Sequence, residues 1–234
     1  MKYSFLLPYH KRDTLTETAK SFLEFYSNRN DYELIIVESR RTWENEVEHN
    51  KLLNIIKEFE SKMSIKHYKN MDTGYSCSVA YNIAFKNSSG DFLVVTNPEC
   101  YHTINILGEF DKLFEENKNC YIICACEAVN PDKTHFSWYQ HSIHMNRMLH
   151  FCTAISKRNW LRTNGFCEAL AGGIGFEDDD FLDRVKLLNI PIIVRDDLLV
   201  KHIEHSRDYL EQNRELSLRN RDMYNFIWNA NRTI

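Results

Sequence analysis

The chain has 234 residues, 43% hydrophobic and 13% aromatic against 26% charged, a globular composition that excludes a disordered chain and fits one domain or two closely joined lobes. Seven glycines and four prolines exclude collagen-like and Pro-rich architectures, and 29 Lys plus Arg against 33 Asp plus Glu give a net charge of −4, with no general basic field for tracking nucleic acid. No window approaches the roughly 18 consecutive apolar residues of a membrane span, and the first apolar run is shorter than a signal-peptide core, so the expectation is a soluble, cytoplasmic protein.

Apolar runs alternate with helical patterns through the first half, which predicts an α/β fold on a mostly parallel central sheet flanked by helices. Residues 3–7 read as the first strand, stopping at Pro8. Thr14-Leu15-Thr16-Glu17 reads as a capping box for a helix carrying Leu15, Ala19, Phe22, Leu23 and Tyr26 at helical spacing. A second strand over 34–37 ends at Glu38. One long helix with Trp43, Val47, Leu52, Ile56, Phe59 and Met63 on a stripe then leads to a short strand at 65–68. Helix 76–86, strand 92–95, a helix with Ile106, Leu107, Phe110, Leu113 and Phe114, and strand 121–125 follow. Residues 130–146 read as irregular, 151–155 as a strand, and 157–163 and 178–188 as helices. The last strand is expected at 190–194, ahead of His202-Ile203-Glu204-His205 and an amphipathic C-terminal helix. Seven cysteines without a Cys-x-x-Cys pair lie mostly in apolar stretches and read as reduced, buried thiols. The expected organisation is one domain over 1–206, with a nucleotide-binding half at 1–100 and an acceptor and metal half at 101–206, followed by the helix at 207–234.

In an open α/β sheet ligands bind at the carboxyl ends of strands. The residues standing there are Pro8-Tyr9-His10, Glu38-Ser39 and Asn97-Pro98-Glu99. A carboxylate such as Glu38 suits hydrogen bonds from a ribose or a base, although alone it reads equally as a solvated strand end. The densest acidic feature is Glu177-Asp178-Asp179-Asp180, behind the glycine-rich run 172–175. A helix N-terminus offsets part of the mutual repulsion there, and Asp180 and Arg184, four apart on one face, read as a structural pair. His202 and His205 together with Glu99 form an oxygen and nitrogen donor set suited to Mn2+ or Mg2+. No phosphate-binding glycine loop is present, so diphosphate charge would fall to that metal. Trp138, Tyr139, His141 and His144 offer faces for stacking on sugar rings, or ordinary packing. Tyr224, Phe226, Ile227 and Trp228 read either as a stripe docked on the chain's own domain or as a membrane-surface or oligomer contact.

These residues resemble the GT-A class of nucleotide-sugar glycosyltransferases. The first half is similar to family 2: a strand ending in Pro8, Glu38 at the place of an acidic uridine contact, and Gly74 through Ala80-Tyr81-Asn82 at the place of a Gly-x-x-x-Ala-Arg-Asn helix. Asn97-Pro98-Glu99 stands at the Asp-x-Asp metal motif, with Asn in place of the first Asp. The second half resembles the β-1,4-galactosyltransferases of family 7, through Ala154-Ile155-Ser156-Lys157, Asn164-Gly165-Phe166, the run from Gly173 to Asp180, and His202 to Asp208; Ile174 replaces a family Trp.

The resemblance implies an inverting, metal-dependent transferase that moves galactose, N-acetylgalactosamine or glucose from a UDP-sugar to a hydroxyl of a glycan or other acceptor. It implies Asp178 as catalytic base with Glu177 orienting the acceptor, and Pro8, Tyr9, His10, Glu38, Asn82, Asn97, Pro98 and Gly175 on the nucleotide sugar. Trp138, Tyr139 and His141 fall to the acceptor, and Glu99, His205 and His202 to the metal. The alternatives are a GT-A-like module that binds a nucleotide sugar or glycan without turnover, and a transferase acting on a modified nucleic acid base.

Overall fold

A computed structural model describes residues 1–74, 77–205 and 213–231. In chain order the elements are β1 (Tyr3–Tyr9), α1 (Leu15–Tyr26), β2 (Tyr32–Glu38), α2 (Arg40–Trp43), α3 (Glu46–Phe59), β3 (Ile65–Lys69), α4 (Ser78–Lys86), β4 (Phe92–Thr96) and β5 (Cys100–His102). There follow α5 (Ile106–Glu116), β6 (Tyr121–Val129), β7 (His135–Gln140), β8 (Cys152–Ser156), α6 (Lys157–Thr163), a 3-10 turn (Glu168–Leu170), α7 (Glu177–Leu187), β9 (Ile192–Ile203) and α8 (Arg214–Asn231).

The strands form one mixed sheet in the order β3-β2-β1-β4-β8-β6-β9-β5, with β7 added beside β6. The expected α/β architecture is present. β3, β2, β1 and β4 run parallel, β8 runs antiparallel to both β4 and β6, and β9 runs parallel to β6. Both faces of β1 are covered, which is why it is an apolar run and not an alternating one. Tyr3, Phe5, Leu7 and Tyr9 pack with residues of α1, α3 and α5, while Leu6 packs on the other face with α4, α6 and α7. β1 does not stop at Pro8. Its pairing with β4 ends at Leu6, and only the β2 ladder continues to Tyr9 opposite Glu38, so the missing N–H of Pro8 lies where one neighbour has already departed.

Several expectations are corrected. Thr14 has helical backbone angles (φ −60°, ψ −16°) and makes no side-chain cap, so the capping box does not form; a cap residue needs an extended conformation to aim its oxygen at the first turn. The single helix expected from Trp43 to Met63 is two, because Asn45 turns extended and its side chain accepts from Glu48 N, starting α3 afresh. Val47 is consequently 66% exposed, while Leu52, Ile56, Phe59 and Met63 are buried. The stretch 130–146 holds strand β7. The last strand runs to Ile203, carried past 194 by a register jump in which Cys124 pairs Arg195 but Ala125 pairs Leu199. Ser76 and residues 206–212 lie outside the described residues. All seven cysteines are free thiols, five of them buried.

The C-terminal helix α8 docks on its own chain. Buried Asn220 donates to Leu170 O (2.9 Å) and Gly175 O (2.8 Å), Tyr224 donates to Asp183 (2.6 Å), and Trp228 Nε1 donates to Asp180 (3.2 Å). Tyr224 and Trp228 of the aromatic stripe are thus engaged by the domain, while Phe226 is 73% exposed. Asn220→Ala strips the buried Leu170 carbonyl and the part-buried Gly175 carbonyl of their donor and should lower stability by about 2 kcal/mol, read in urea or thermal unfolding; an unchanged midpoint would show that the helix is held without it.

Candidate functional site

The carboxyl ends of β1, β2 and β4 and the N-terminus of α7 meet at one edge of the sheet. The sharpest feature there is the group formed by Glu99, His202 and His205, whose ligand atoms all lie within 4.8 Å of one another. Strand pairing builds it. Glu99 follows β4 and immediately precedes β5, Cys100 of β5 pairs His202 of β9, and Ile203 N donates to Glu99 O (3.0 Å). His205 Nε2 lies 3.1 Å and His202 Nε2 3.5 Å from Glu99 Oε1. Burial opposes ionisation of Glu99, but the two histidines and Arg12 (Nε to Oε1 3.4 Å) outweigh it and hold the carboxyl well below its ordinary range.

These residues fit a divalent cation. Glu99 Oε2 and His202 Nδ1 are buried without a hydrogen bond, and a carboxylate with two imidazoles is a donor set that divalent metal ions accept. The three residues expected as metal ligands are therefore the three the fold brings together.

The acidic turn is the second feature. Gly175 (φ +76°) and Phe176 (φ +69°) are both left-handed, a conformation costly for Phe, and Phe176 packs on Tyr224 of α8 (5.6 Å between ring centroids). The glycine run is not a loose loop: a Cβ on Gly173 would fall 2.1 Å from Asn220 Oδ1. The four carboxylates separate. Glu177 Oε2 is buried with no hydrogen bond, and burial first, then the neighbouring Asp178, push this carboxyl up to about 8. Asp178 faces His150, with Nδ1 3.4 Å from Oδ1. Asp179 is exposed. Asp180 is 1% exposed and takes Arg184 and Trp228 Nε1, the expected structural pair.

Cys77 stands just ahead of α4. Burial raises its thiol strongly, and Glu177, Asp178 and Glu99 act in the same direction. Sequence reading missed Cys77, whose lone thiol carries no pattern. It also missed Arg12, a surface-type residue in a loop, and His150, a lone histidine between Leu149 and Phe151 that reads as ordinary packing.

The expected nucleotide contacts divide. His10 is exposed, with Nδ1 2.7 Å from Ser39 Oγ. Asn97 accepts from Tyr81 (3.0 Å), and Pro98 O accepts from Thr18 (2.8 Å). Tyr9 and Pro8 are buried. Glu38 is not a solvated strand end: it is fully buried, between His49 Nδ1 (2.9 Å) and His67 Nε2 (3.0 Å). Asn82 is engaged elsewhere, donating to Phe166 O and Glu168 and accepting from Phe166 N, all at 2.9 Å; it holds the 165–168 turn.

The aromatic stretch also divides, because neighbours on a strand point to opposite faces. Tyr139 stacks on Phe151 (4.8 Å), meets His202 edge-on (4.9 Å) and donates to Glu204. Trp138 packs instead against His141 (4.6 Å) and His144 (5.3 Å), with His141 beside Asp196. A cavity of about 650 Å³ lined by Asn82, Trp160, Leu161, Arg184 and Ile227 lies behind the acidic turn. It contains neither Glu99 nor Asp178, and Arg184 there is already paired with Asp180.

Comparison with known proteins agrees with this fold. The sequence model of glycosyl transferase family 2 matches residues 4–173. No curated protein matches the chain. Among solved structures, TarS 1-349 of S. aureus in complex with UDP-GlcNAc superposes with a TM-score of 0.68 at 16% identity, over 88% of this chain and 59% of that one. The mannosyltransferase PcManGT of Pyrobaculum calidifontis, in complex with GDP-Man and Mn2+, gives 0.65 at 12% over 90% and 59%. GalNAc-T7 with UDP, GalNAc and Mn2+ gives 0.69 at 12% over 88% and 44%. At these identities the likeness establishes the GT-A fold, and the chain spans well under two thirds of each of those proteins. The family match ends ahead of the acidic turn, and nothing in the comparisons supports a family 7 C-terminal half. Among the described residues no helix is long and apolar enough to cross a membrane.

The raised Glu177 carboxyl makes a pH prediction. Folding strengthens its hold on a proton, so its contribution to stability is full below about 4.5 and is lost as pH rises through about 8. Glu177→Gln should therefore melt several degrees above wild type near about pH 9 and close to it near about pH 5, whereas a constant difference across that range would put the carboxyl in solvent.

Proposed function

The chain belongs to glycosyl transferase family 2, and on that premise we propose that it is an inverting, divalent-metal-dependent transferase moving a sugar from a UDP-sugar to an acceptor hydroxyl. The observation that carries this reading is the grouping of Glu99, His202 and His205, with Arg12 beside Glu99, in a family 2 chain that also carries the Glu177-Asp178 turn. Sugar transfer needs both: positive charge where the diphosphate departs, and a carboxylate where the acceptor loses its proton.

Glu99, His202 and His205 would hold the cation, which when bound neutralises charge building on the departing diphosphate. Arg12, beside Glu99, adds a fixed positive charge at the same place. Asp178 accepts the acceptor hydroxyl proton; the freed oxygen bonds to the anomeric carbon as the bond from that carbon to the diphosphate oxygen breaks, from the opposite side, inverting the centre. Glu177, which keeps its proton near neutral pH, donates a hydrogen bond that orients the acceptor. Tyr139, edge-on to His202, is the aromatic best placed for the acceptor side, ahead of Trp138 and His141. UDP as the nucleotide is supported by its presence in the TarS and GalNAc-T7 structures. GalNAc in the GalNAc-T7 structure supports N-acetylgalactosamine as the transferred sugar, and the TarS complex supports N-acetylglucosamine.

The competing reading, a module that binds without turnover, is favoured by Asn97 at the first position of the metal motif. Release of UDP from a panel of UDP-sugars, with and without Mn2+, separates the two: Mn2+-dependent release supports transfer, and donor binding without release supports the module. Asp178→Asn should lower kcat by about 100- to 10,000-fold with donor binding retained in calorimetry; full activity would remove Asp178 from the base role. His205→Ala should weaken Mn2+ binding measured on the protein alone, and unchanged affinity would move the cation elsewhere.

A further inference from the structure

We propose that His150 is the positioning residue of the Asp178 carboxylate, a buried imidazole that orients the base for the acceptor proton. The inference rests on the assignment of Asp178 as base. His150 is 2% exposed, and neither of its ring nitrogens makes a hydrogen bond. A buried polar group left without a partner is destabilising, and the fold retains two on one ring. The nearest polar partner is Asp178 Oδ1, 3.4 Å from Nδ1 but off the line a hydrogen bond needs. A small rotation of the Asp178 side chain, about 30% exposed and on the first turn of α7, closes that bond.

The surroundings limit which of the two side chains can move. Tyr121, Phe166 and Phe181 meet the imidazole nearly perpendicular, at 5.8, 5.5 and 5.3 Å between centroids. Three rings edge-on leave the imidazole little freedom, so the carboxylate adjusts to the histidine. Burial outweighs the pull of Asp178 and, with Arg184 adding to it, lowers the affinity of His150 for a second proton. A neutral imidazole has a single N–H, and with that hydrogen on Nδ1 it donates to one carboxylate oxygen while the other faces the acceptor. During transfer the acceptor proton moves to Asp178 and His150 keeps its own, so no further acid or base is required. Misplacement of a base by about 1 Å costs up to about 100-fold in rate, which sets the expected size of the effect.

The test uses the full chain and two readouts. In His150→Leu, kcat should fall by about 10- to 100-fold with the donor KM unchanged, and His150→Asn, whose amide nitrogen stands near the Nδ1 position, should recover part of the loss. Nitrogen-15 NMR of histidine-labelled wild type should show neutral His150 with its hydrogen on Nδ1, and Asp178→Asn should shift that signal. A folded His150→Leu variant with wild-type kcat, or a wild-type His150 with its hydrogen on Nε2, overturns the proposal. If wild type transfers no sugar while the NMR signal still responds to Asp178→Asn, the pairing stands and the transferase reading fails. If Asp178→Asn transfers normally, the base assignment fails, and the positioning role with it.

Discussion

Four consecutive carboxylates on one helical turn repel one another, and the site depends on how the fold divides them. A helix N-terminus supplies partial positive charge to a turn, but it does not by itself distinguish four neighbours. Tertiary packing does. Asp180 is turned inward to Arg184 and Trp228, Asp179 is left to solvent, Glu177 is buried so that it keeps a proton, and Asp178 is set against His150. Similar residue types thus receive different charge states and different tasks from burial and neighbours alone.

That division is held from behind by α8. Asn220 ties Leu170 to Gly175 across the glycine run, and Tyr224 supports Phe176 in a left-handed conformation that a phenylalanine does not adopt unaided. Glycine at 173 is required because Asn220 occupies the space of a side chain. A run that reads as flexible in one dimension is a close contact in three. The cation group opposite has a different construction, on strands: β5 and β9 pair so that Glu99 and His202 are neighbours, and His205 follows two residues beyond the strand.

The alternation of apolar runs and helical stripes made the architecture legible, because each buried strand needs residues apolar on both faces and each helix shows a stripe every three to four positions. It could not show that Asn45 would restart a helix, that Thr14 would enter one instead of capping it, or that β9 would jump register and extend to carry His202. The Asn45 cap on Glu48 N and the helical angles of Thr14 are local choices that residue type alone leaves open, whereas the register jump depends on pairing between segments far apart in sequence. The strand 135–140 was hidden for the same reason: it is an edge strand of mixed polar and aromatic residues, defined by its partner β6.

By itself the sequence determined the chemistry available: a carboxylate and two histidines for a cation, four carboxylates behind glycines, and an α/β scaffold whose strand ends gather them. Only the tertiary structure decided how each group is used. It buried Glu38 between His49 and His67, tied the Asn82 amide to the 165–168 turn, kept Tyr139 near His202 while turning Trp138 away, and set Arg12 beside Glu99 and His150 beside Asp178. The reason is physical: residue type sets what a group can donate, accept or ionise, whereas burial and neighbours, fixed only when distant segments pack, set which of these it does.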